Sequence, residues 1–411
     1  MLRSLRISFL MILAAAGSFS AMAAGAQYLP PAGFTLPVRP AATTAVTCPP
    51  VPPPFTGALR LRSKYEGSDA ARATLNAGAE QAYRDATRTV DAMERQVSKL
   101  VQRGDSHCAI DALNRWARAG ALTSTDTTHT GRAVRKWALA SFSSAWIQLK
   151  FAPQYPLKDD PAAASQVENW LSQLGTLVAR DWKGLPLNKI NNHSYWAGWA
   201  LMSTALATGR DDLFADAVAL LRTALRQVDD RGFLPNELKR RQRALAYHNY
   251  ALQPLVMLAL FARASQVPLS DTETAALKRL GERVIAGLDD PTPFRDATGV
   301  KQDRHFLNQP TNLAWMEAWC SLYTCSAAVN NRLAPLRPLN NVRLGGSYAS
   351  DRAKSGSEGP LVKLRFPRYT HCIHSPDKYK RRLLMLCCEL FIHSHHFGDR
   401  HCSSVTSIVL R

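Results

Sequence analysis

The chain has 411 residues, of which 46% are hydrophobic, so it can bury a sizeable core in one large domain or two ordinary ones. Its 51 Lys and Arg residues against 32 Asp and Glu give a net charge of +19, which implies an acidic partner. No nucleic-acid-binding motif accompanies this charge, so an acidic polysaccharide or an anionic envelope surface is favoured over a nucleic acid.

Residues 1–26 have the three-part pattern of a secretory signal peptide. Arg3 and Arg6 precede an apolar run over residues 7–16, and small-residue cleavage sites follow it. The run is too short for a membrane span, and no later stretch has the length and apolarity of a transmembrane helix. We therefore expect an exported protein without a membrane span, located in the periplasm.

The next segment, residues 29–54, is rich in proline and is expected to form an extended arm. From residue 69 onward apolar residues recur at helical spacing, and strand signals are nearly absent. Ser68 is the expected N-cap of the first helix, and Pro254 is expected to kink the seventh. The pattern predicts helices over residues 69–102, 107–118, 130–151, 161–179, 192–207, 211–227, 236–263, 270–287 and 310–328.

Helices that are apolar all round alternate with amphipathic ones along this part of the chain. The alternation indicates helical hairpins, each with an inner and an outer helix. We predict an all-α fold, an incomplete α/α toroid of antiparallel hairpins over residues 27–346, with an open solenoid as the alternative. In a toroid, the loops and inner-helix ends at one mouth line a cleft long enough for a polymer.

The predicted helix that begins at residue 236 carries an unusual polar face. Asn236 suits the N-cap position, and Glu237 suits the first turn, where negative charge favours the helix dipole. Four residues at helical spacing share one face: Arg240, Arg243, Tyr247 and Tyr250. This face suits an anionic, hydroxylated ligand, with a solvated cationic face as the alternative.

The cysteines divide between the helical body and an atypical tail. Cys48, Cys108, Cys320 and Cys325 form an even set in an oxidising compartment, so disulfides are possible and their pairing is left open. The tail, residues 347–411, holds 6 of the 11 His and 4 of the 8 Cys. It is a divergent, disordered or out-of-frame end, or a metal-binding appendage through His393, His395, His396 and Cys402.

Five motifs stand in order along the chain: Ser63–Asp69, Asn191–Trp196, Leu234–Arg240, Arg243–Tyr250 and Arg343–Gly346. Together they resemble the alginate lyases of polysaccharide lyase family 5, and the resemblance extends over residues 27–346. It implies an incomplete α/α toroid and a periplasmic enzyme specific for polymannuronate. The tail after Gly346 departs from the usual ending of that family.

A uronate polymer is cut by β-elimination: the carboxylate beside C5 is neutralised, a base removes the C5 proton, and an acid protonates the leaving oxygen at C4. Asn192, Arg240 and a protonated His193 suit the first step as donors to the carboxylate. Tyr247 suits the proton transfers, provided that nearby cations lower its pKa. The resemblance implies that Tyr247 is both base and acid on one face of mannuronate, with His193 assisting. The opposite assignment, His193 as base and Tyr247 as acid, would suit guluronate.

Further positions concern substrate binding. By resemblance, these are Lys64, Tyr250 and Arg343. Tyr65 can close over the cleft from its loop, and Trp196, one turn after His193, can stack on a sugar ring. Trp199 and His248 are expected to be structural.

No metal or cofactor is predicted, because protein donors can neutralise the carboxylate and no acidic or histidine cluster has calcium or zinc spacing. The predicted function is a mannuronate-specific alginate lyase. Another acidic glycan is the first alternative substrate, although a hydrolase would need two carboxylates flanking the bond. The second alternative is a non-catalytic envelope protein that binds polysaccharide, for example in an alginate export complex.

Overall fold

The computed structural model describes residues 28–35 and 47–348. The predictions for the leader, residues 1–26, and for residues 349–411 of the tail lie outside these ranges. Tyr348 stands at the predicted start of the tail but packs with the helical body: it is buried, and its hydroxyl lies 2.9 Å from the Oγ atom of Ser321. The packed body therefore reaches at least to residue 348.

In the described ranges the chain forms α-helices joined by loops and short 3₁₀ turns, and no strand. The helices are α1 (Ala77–Arg103), α2 (Ser106–Arg118), α3 (His129–Lys150), α4 (Pro161–Trp182), α5 (Asn192–Thr208), α6 (Asp211–Arg226), α7 (Pro235–Leu238), α8 (Ala244–Ala264), α9 (Asp271–Asp289), α10 (Thr292–Thr298), α11 (Trp315–Leu322) and α12 (Ala327–Leu333). α8 continues through Pro254.

Burial separates inner helices from outer ones. In α5, 15 of 17 residues are buried, so protein surrounds this helix on all sides. In α9, 7 of 19 residues are buried and all lie along one face, so the opposite face meets solvent. α3 and α8 share the first pattern, and α4 and α6 share the second.

The helices pack in two layers. In the inner layer α1 packs on α3, α3 on α5, α5 on α8 and α8 on α11. In the outer layer α2 packs on α4, α4 on α6 and α6 on α9. Hairpins such as α3–α4, α5–α6 and α8–α9 join the two layers. The prediction of an all-α, incomplete α/α toroid is confirmed.

The first long helix begins at Ala77 and not at residue 69. Asn76, rather than Ser68, is its N-cap and accepts a hydrogen bond from the backbone N–H of Ala79. The preceding residues form a loop that is closed by a bond from the N–H of Asn76 to the carbonyl of Lys64. The prediction was wrong here because the sequence offers two good caps and the loop bonds favour the second.

The segment predicted as one helix from residue 236 is broken. α7 ends at Leu238, a 3₁₀ turn covers Arg241–Arg243, and only then does α8 begin. Arg241 has a φ of +48°, in the left-handed region that few residues other than glycine adopt. The four residues of the predicted polar face therefore come from two elements rather than one helix face.

Gln302 satisfies the backbone groups that this break leaves open. Its side-chain amide donates to the carbonyl of Arg241, and its Oε1 atom accepts from the N–H of Leu245. The partners are 61 and 57 residues apart along the chain. A tertiary contact of this kind overrides the local helical pattern and is not visible in the sequence of the segment.

Two other boundaries differ from the prediction. Asn236 is not an N-cap, because α7 starts at Pro235 and the Asn236 amide instead donates to the carbonyls of Leu187 and Ile190. The helix expected over residues 310–328 is divided into a 3₁₀ turn, α11 and the start of α12.

Disulfides link Cys48 to Cys108 and Cys320 to Cys325, which settles the pairing that the sequence left open. The first ties the extended arm to α2. Within the part of the chain that the structure describes, no helix combines the length and the apolarity needed to cross a bilayer.

Candidate active site

A cleft of about 1000 Å³ opens where the loop of residues 63–76 faces the N-terminal ends of α5 and α8. Eight of the nine predicted site residues line it: Lys64, Tyr65, Asn192, His193, Arg240, Tyr247, Tyr250 and Arg343. The ninth, Trp196, does not. Further cations, Arg72, Arg132, Lys189 and Arg243, line the same walls, so the cleft suits a polyanion.

The start of α5 is held by Glu237 from α7. The Glu237 carboxylate accepts from the backbone N–H of Asn192 at 2.6 Å and from its Nδ2 atom at 3.0 and 3.2 Å. Burial raises the pKa of Glu237 to about 7, although the bonds from Asn192 and the charge of Arg240 oppose the shift. The Oδ1 atom of Asn192 has no partner among the described residues. Asn192 was predicted to donate to a substrate carboxylate, but in this arrangement its amide donates to Glu237.

His193 stands in an aromatic wall of the cleft. Its ring stacks on Trp182, with 5.4 Å between ring centres and 11° between planes, and His129 meets it edge-on at 5.0 Å. Its Nδ1 atom lies 2.7 Å from the Nζ atom of Lys136, which is fully buried behind the wall. The backbone N–H of His193 bonds to the side chain of Asn191, the N-cap of α5, which fixes the first turn.

The surroundings of His193 disfavour the protonated imidazole that the prediction assumed. Burial lowers its pKa well below the usual value, and the nearby charges of Lys136, Arg72 and Arg240 act in the same direction. A neutral ring can still donate one hydrogen bond through the nitrogen that carries the proton. His193 can thus serve as a donor to a carboxylate, but not as a cation.

Arg240 and Tyr247 meet face to face in the cleft. The guanidinium carbon lies 3.6 Å from the centre of the Tyr247 ring, a close cation–π contact. One Arg240 nitrogen, Nη2, donates to the carbonyl of Arg72, while Nε has no partner in the described part of the chain. Arg240 lines the cleft, so its guanidinium places a positive charge beside the phenol that suits a substrate carboxylate.

Tyr65 reaches from its loop to the hydroxyl of Tyr247. The two oxygens are 3.0 Å apart, and Nη1 of Arg243 donates to the Tyr65 oxygen at 2.7 Å. Burial alone would raise the pKa of Tyr65, but Lys64, the bond from Tyr247, Arg243 and Arg240 together lower it.

The pKa of Tyr247 moves in the opposite direction to the prediction. Burial raises it well above the usual value for tyrosine, and the cation Arg240 offsets only part of that effect. The neighbouring Tyr65 raises it further, both by charge and by the hydrogen bond. The pKa values of the two phenols therefore diverge, with that of Tyr247 raised and that of Tyr65 lowered.

Arg343 is placed by a turn at two glycines. Gly345 and Gly346 have φ values of +93° and +92°, and an added Cβ atom would collide with Phe34 and Gln102 respectively. The Arg343 side chain lies 3.7 Å from the buried carboxylate of Glu94. Burial opposes the charge of Arg343, but Glu94, Tyr250, Tyr83 and Asp91 together outweigh it and raise the pKa, so Arg343 is a permanent cation in the cleft.

Trp196 is buried and was wrongly predicted to stack on a sugar. Only 1% of its surface is exposed, and its ring packs 5.2 Å from that of Tyr250, which does line the cleft. Trp199 and His248 are structural, as predicted. Trp199 donates to the carbonyl of Arg343, and His248 bonds to the backbone of Leu234 and Ala244.

Sequence reasoning missed the residues that support the site. Lys136 and Glu237 hold His193 and Asn192, and Trp137 and Trp182 form the aromatic wall. Lys136 had no distinct signal, because Arg132 and Arg135 precede it on the same helix and such cations are mostly exposed. Glu237 gave no signal either, since an acid in a first helical turn is ordinary.

Comparison with known proteins gives one consistent family. The sequence pattern of the alginate lyase family matches residues 60–294. A protein named alginate lyase from Pseudomonas paraeruginosa is 48% identical over 359 residues, 86% of this chain and 98% of that protein. Another from Pseudomonas entomophila is 51% identical over 306 residues, 73% of this chain and 83% of that protein. Among solved structures, alginate lyase A1-III from Sphingomonas species A1 has a TM-score of 0.60 at 21% identity, covering 77% of this chain and 88% of its own, which shows a shared fold.

Proposed function

The chain belongs to the alginate lyases of polysaccharide lyase family 5, and we propose that it cleaves polymannuronate by β-elimination between C4 and C5, in the periplasm. The products are unsaturated uronate oligosaccharides. The observation that carries the proposal is the pairing of Tyr247 with Arg240 in a cationic cleft: a proton-transfer group and a carboxylate donor lie side by side. The signal-peptide pattern of residues 1–26 supports the location.

The first step is neutralisation of the substrate carboxylate. Arg240 lines the cleft and brings its guanidinium charge beside Tyr247, and neutral His193 can donate from the ring nitrogen that does not face Lys136. Asn192 can join them if its side-chain amide flips. Its Oδ1 atom then accepts a hydrogen bond from the protonated carboxyl of Glu237, and its Nδ2 atom points to the sugar. With a pKa of about 7, Glu237 can carry the proton that this flip requires. These donors stabilise the negative charge that develops when C5 loses its proton.

The second step is proton transfer through Tyr247. Tyr65, the phenol with the lowered pKa, first loses its own proton to solvent, and the resulting phenolate accepts the proton of Tyr247 along their 3.0 Å hydrogen bond. The Tyr247 oxygen then takes the C5 proton and returns it to the leaving oxygen at C4. In mannuronate both positions are on one face of the ring, so one phenol can serve both transfers. This route supports mannuronate rather than guluronate as the substrate.

A hydrolytic mechanism has less support. The acids that line the described cleft are already engaged: Asp181 with Arg135, Asp303 with His305, and Glu237 with Asn192. The fourth, Asp91, accepts from the hydroxyl of Thr87. A glycosidase needs one free carboxylic acid and one free carboxylate on opposite sides of the bond.

The test is a digest of polymannuronate and of polyguluronate, followed by the ultraviolet absorbance of the unsaturated product. We expect rapid absorbance gain with polymannuronate and little with polyguluronate. The variant Tyr247→Phe should bind polymer and give no product, whereas Tyr155→Phe, at an exposed position outside the cleft, should behave as wild type. Equal rates on both polymers would refute the specificity. Binding without product by the wild type would favour the polysaccharide-binding or export role instead.

A further inference from the structure

Lys136 is a buried cation directly behind the candidate active site. Its side chain has no exposed surface and does not line the cleft. Its Nζ atom lies 2.7 Å from Nδ1 of His193, 4.1 Å from the ring centre of Trp182 and 4.5 Å from that of Trp137. His193 and both tryptophans do line the cleft, so Lys136 touches the back of the wall that faces the substrate.

The surroundings of Nζ fit an ammonium group with three donors. One N–H can point to Nδ1 of His193, and the other two can point to the indole faces of Trp137 and Trp182. Within the described residues no carboxylate bonds to Nζ. Burial lowers the pKa of Lys136 well below the usual value, and the charge of Arg343 adds to this effect. The two indole faces and His193 are therefore the groups that stabilise the charge.

We propose that Lys136 is a positioning residue: its ammonium donates to Nδ1 of His193 and thereby fixes the neutral imidazole as the Nε2–H tautomer. An ammonium has no lone pair and can only donate, so Nδ1 must accept. The single proton of the ring is then on Nε2, for which the described residues provide no partner. The Nε2–H group of His193 can thus donate a hydrogen bond to the substrate.

The consequence for catalysis rests on the proposed function. With its proton on Nε2, His193 can donate to the C6 carboxylate of the sugar but cannot remove a proton through that nitrogen. The role of base is then left to Tyr247, which acts on the same face as the leaving oxygen. Lys136 would in this way select the mannuronate route and suppress the alternative in which His193 is the base.

The control of the His193 tautomer depends on the protonation of Lys136, so it weakens as pH rises through the lowered pKa of this lysine. Above that pH the amine can accept from Nδ1–H, and Nε2 becomes free to act as a base. The other titratable and charged groups around the pair are His129, Arg72, Arg132, Arg240, Arg343 and, behind Arg343, Glu94. Burial lowers the pKa of His129 to about 4, so it stays neutral over the same range.

The experiment is nitrogen NMR of the full chain labelled with ¹⁵N-histidine, because the shifts of the two ring nitrogens identify the tautomer. His193→Gln assigns the signals of His193. The test variant is Lys136→Met, which keeps the length of the side chain and removes the donor. The matched control is Lys150→Met on the same helix, whose Nζ atom instead bonds to Glu168 and to the carbonyl of Ala207.

We expect the Nε2–H tautomer in the wild type and in Lys150→Met, and a shift toward Nδ1–H in Lys136→Met. On polymannuronate, Lys136→Met should lose roughly 10- to 100-fold in kcat with little change in KM, the range for partners that orient a functional histidine. Its preference for polymannuronate over polyguluronate should also fall.

Two NMR outcomes would overturn the proposal: a wild-type His193 that carries its proton on Nδ1 on both sides of the pH at which Lys136 loses its proton, or a Lys136→Met variant that keeps the Nε2–H tautomer. If Lys136→Met does not fold, the wild-type spectrum below and above the pH at which Lys136 loses its proton decides alone. The spectrum does not depend on turnover. Failure of the proposed function, seen as no product from polymannuronate, is therefore distinguishable from failure of Lys136 to set the tautomer of His193.

Discussion

The carboxylate of Glu237 binds the first residue of α5, Asn192, through both its backbone and its side chain, with a shortest distance of 2.6 Å. This contact joins α7 to α5 and positions one of the predicted catalytic residues. Glu237 is also a buried acid, because only 1% of its surface is exposed. The free energy of unfolding should therefore depend on its protonation.

The first prediction concerns Glu237→Gln and pH. Burial raises the pKa of Glu237 from 4.5 in the unfolded chain to about 7 in the fold, so the folded state holds the proton more tightly. The stability from this group is complete below about pH 4.5 and is lost as pH rises to about 7. The loss amounts to about 3 kcal/mol. In urea unfolding the wild type should show this loss relative to Glu237→Gln, which cannot ionise.

The control for this prediction is Asp126→Asn, which removes an exposed ion pair with Arg60. Exposed pairs contribute little, so its pH profile should follow that of the wild type. Parallel profiles of Glu237→Gln and wild type between pH 4.5 and 8 would show that Glu237 does not hold a proton in the fold.

The second prediction concerns Tyr65→Phe. This variant removes the acceptor for the Tyr247 proton, so Tyr247 must ionise with its own raised pKa. We expect kcat on polymannuronate to fall by roughly 100-fold, at the lower end of the range for acid–base groups. The pH at which activity rises should move upward. A pH series of initial rates measures both effects. Loss of activity with an unchanged pH profile would indicate that Tyr65 only closes the cleft.

The fold could be predicted from the sequence as far as the spacing of apolar residues indicates which helix faces are buried. Apolar-all-round α5 and one-sided α9 differ in composition, and this difference assigned them to the inner and outer layers. The break between α7 and α8 could not be predicted, since Gln302 stabilises the interruption near Arg241 from a distant part of the chain. The identities of the cleft residues came from motif resemblance and spacing, whereas their protonation depends on burial, which the sequence does not reveal.

Tyr247 shows why the pKa of a buried residue could not be predicted from the sequence. From the sequence its neighbours are cations, which would lower its pKa, but its burial has the larger effect and raises it. The same reasoning applies to His193, where burial and like charges lower the pKa of the ring. Lys136, the group behind His193, is 57 residues away along the chain and could not be paired with it from spacing.

The third prediction concerns Arg240→Ala. Arg240 is the cation that stacks on Tyr247, so its loss removes charge stabilisation that grows as C5 is deprotonated. We expect kcat/KM on polymannuronate to fall roughly 100- to 1,000-fold, as for removal of one preorganised donor. Arg240→Lys should recover only part of the loss, because an ammonium lacks the planar fork.

The adjacent residue provides the control for Arg240. Arg241 carries the same charge, is exposed and does not line the cleft. Arg241→Ala should therefore keep the wild-type kcat/KM at constant ionic strength. Equal losses in both variants would mean that net charge attracts the polymer and that Arg240 has no specific role.

The fourth prediction concerns Trp196→Phe, which separates packing from sugar stacking. Trp196 is buried beneath Tyr250, so a smaller ring leaves a void and should cost about 2 kcal/mol of unfolding free energy. Since no part of Trp196 lines the cleft, KM for oligomannuronate should change little. The matched control is Trp170→Phe, a tryptophan that is 2% exposed and bonded to the carbonyl of Ala121, which should lose comparable stability. A large rise in KM for Trp196→Phe alone would restore the stacking role and contradict the buried position.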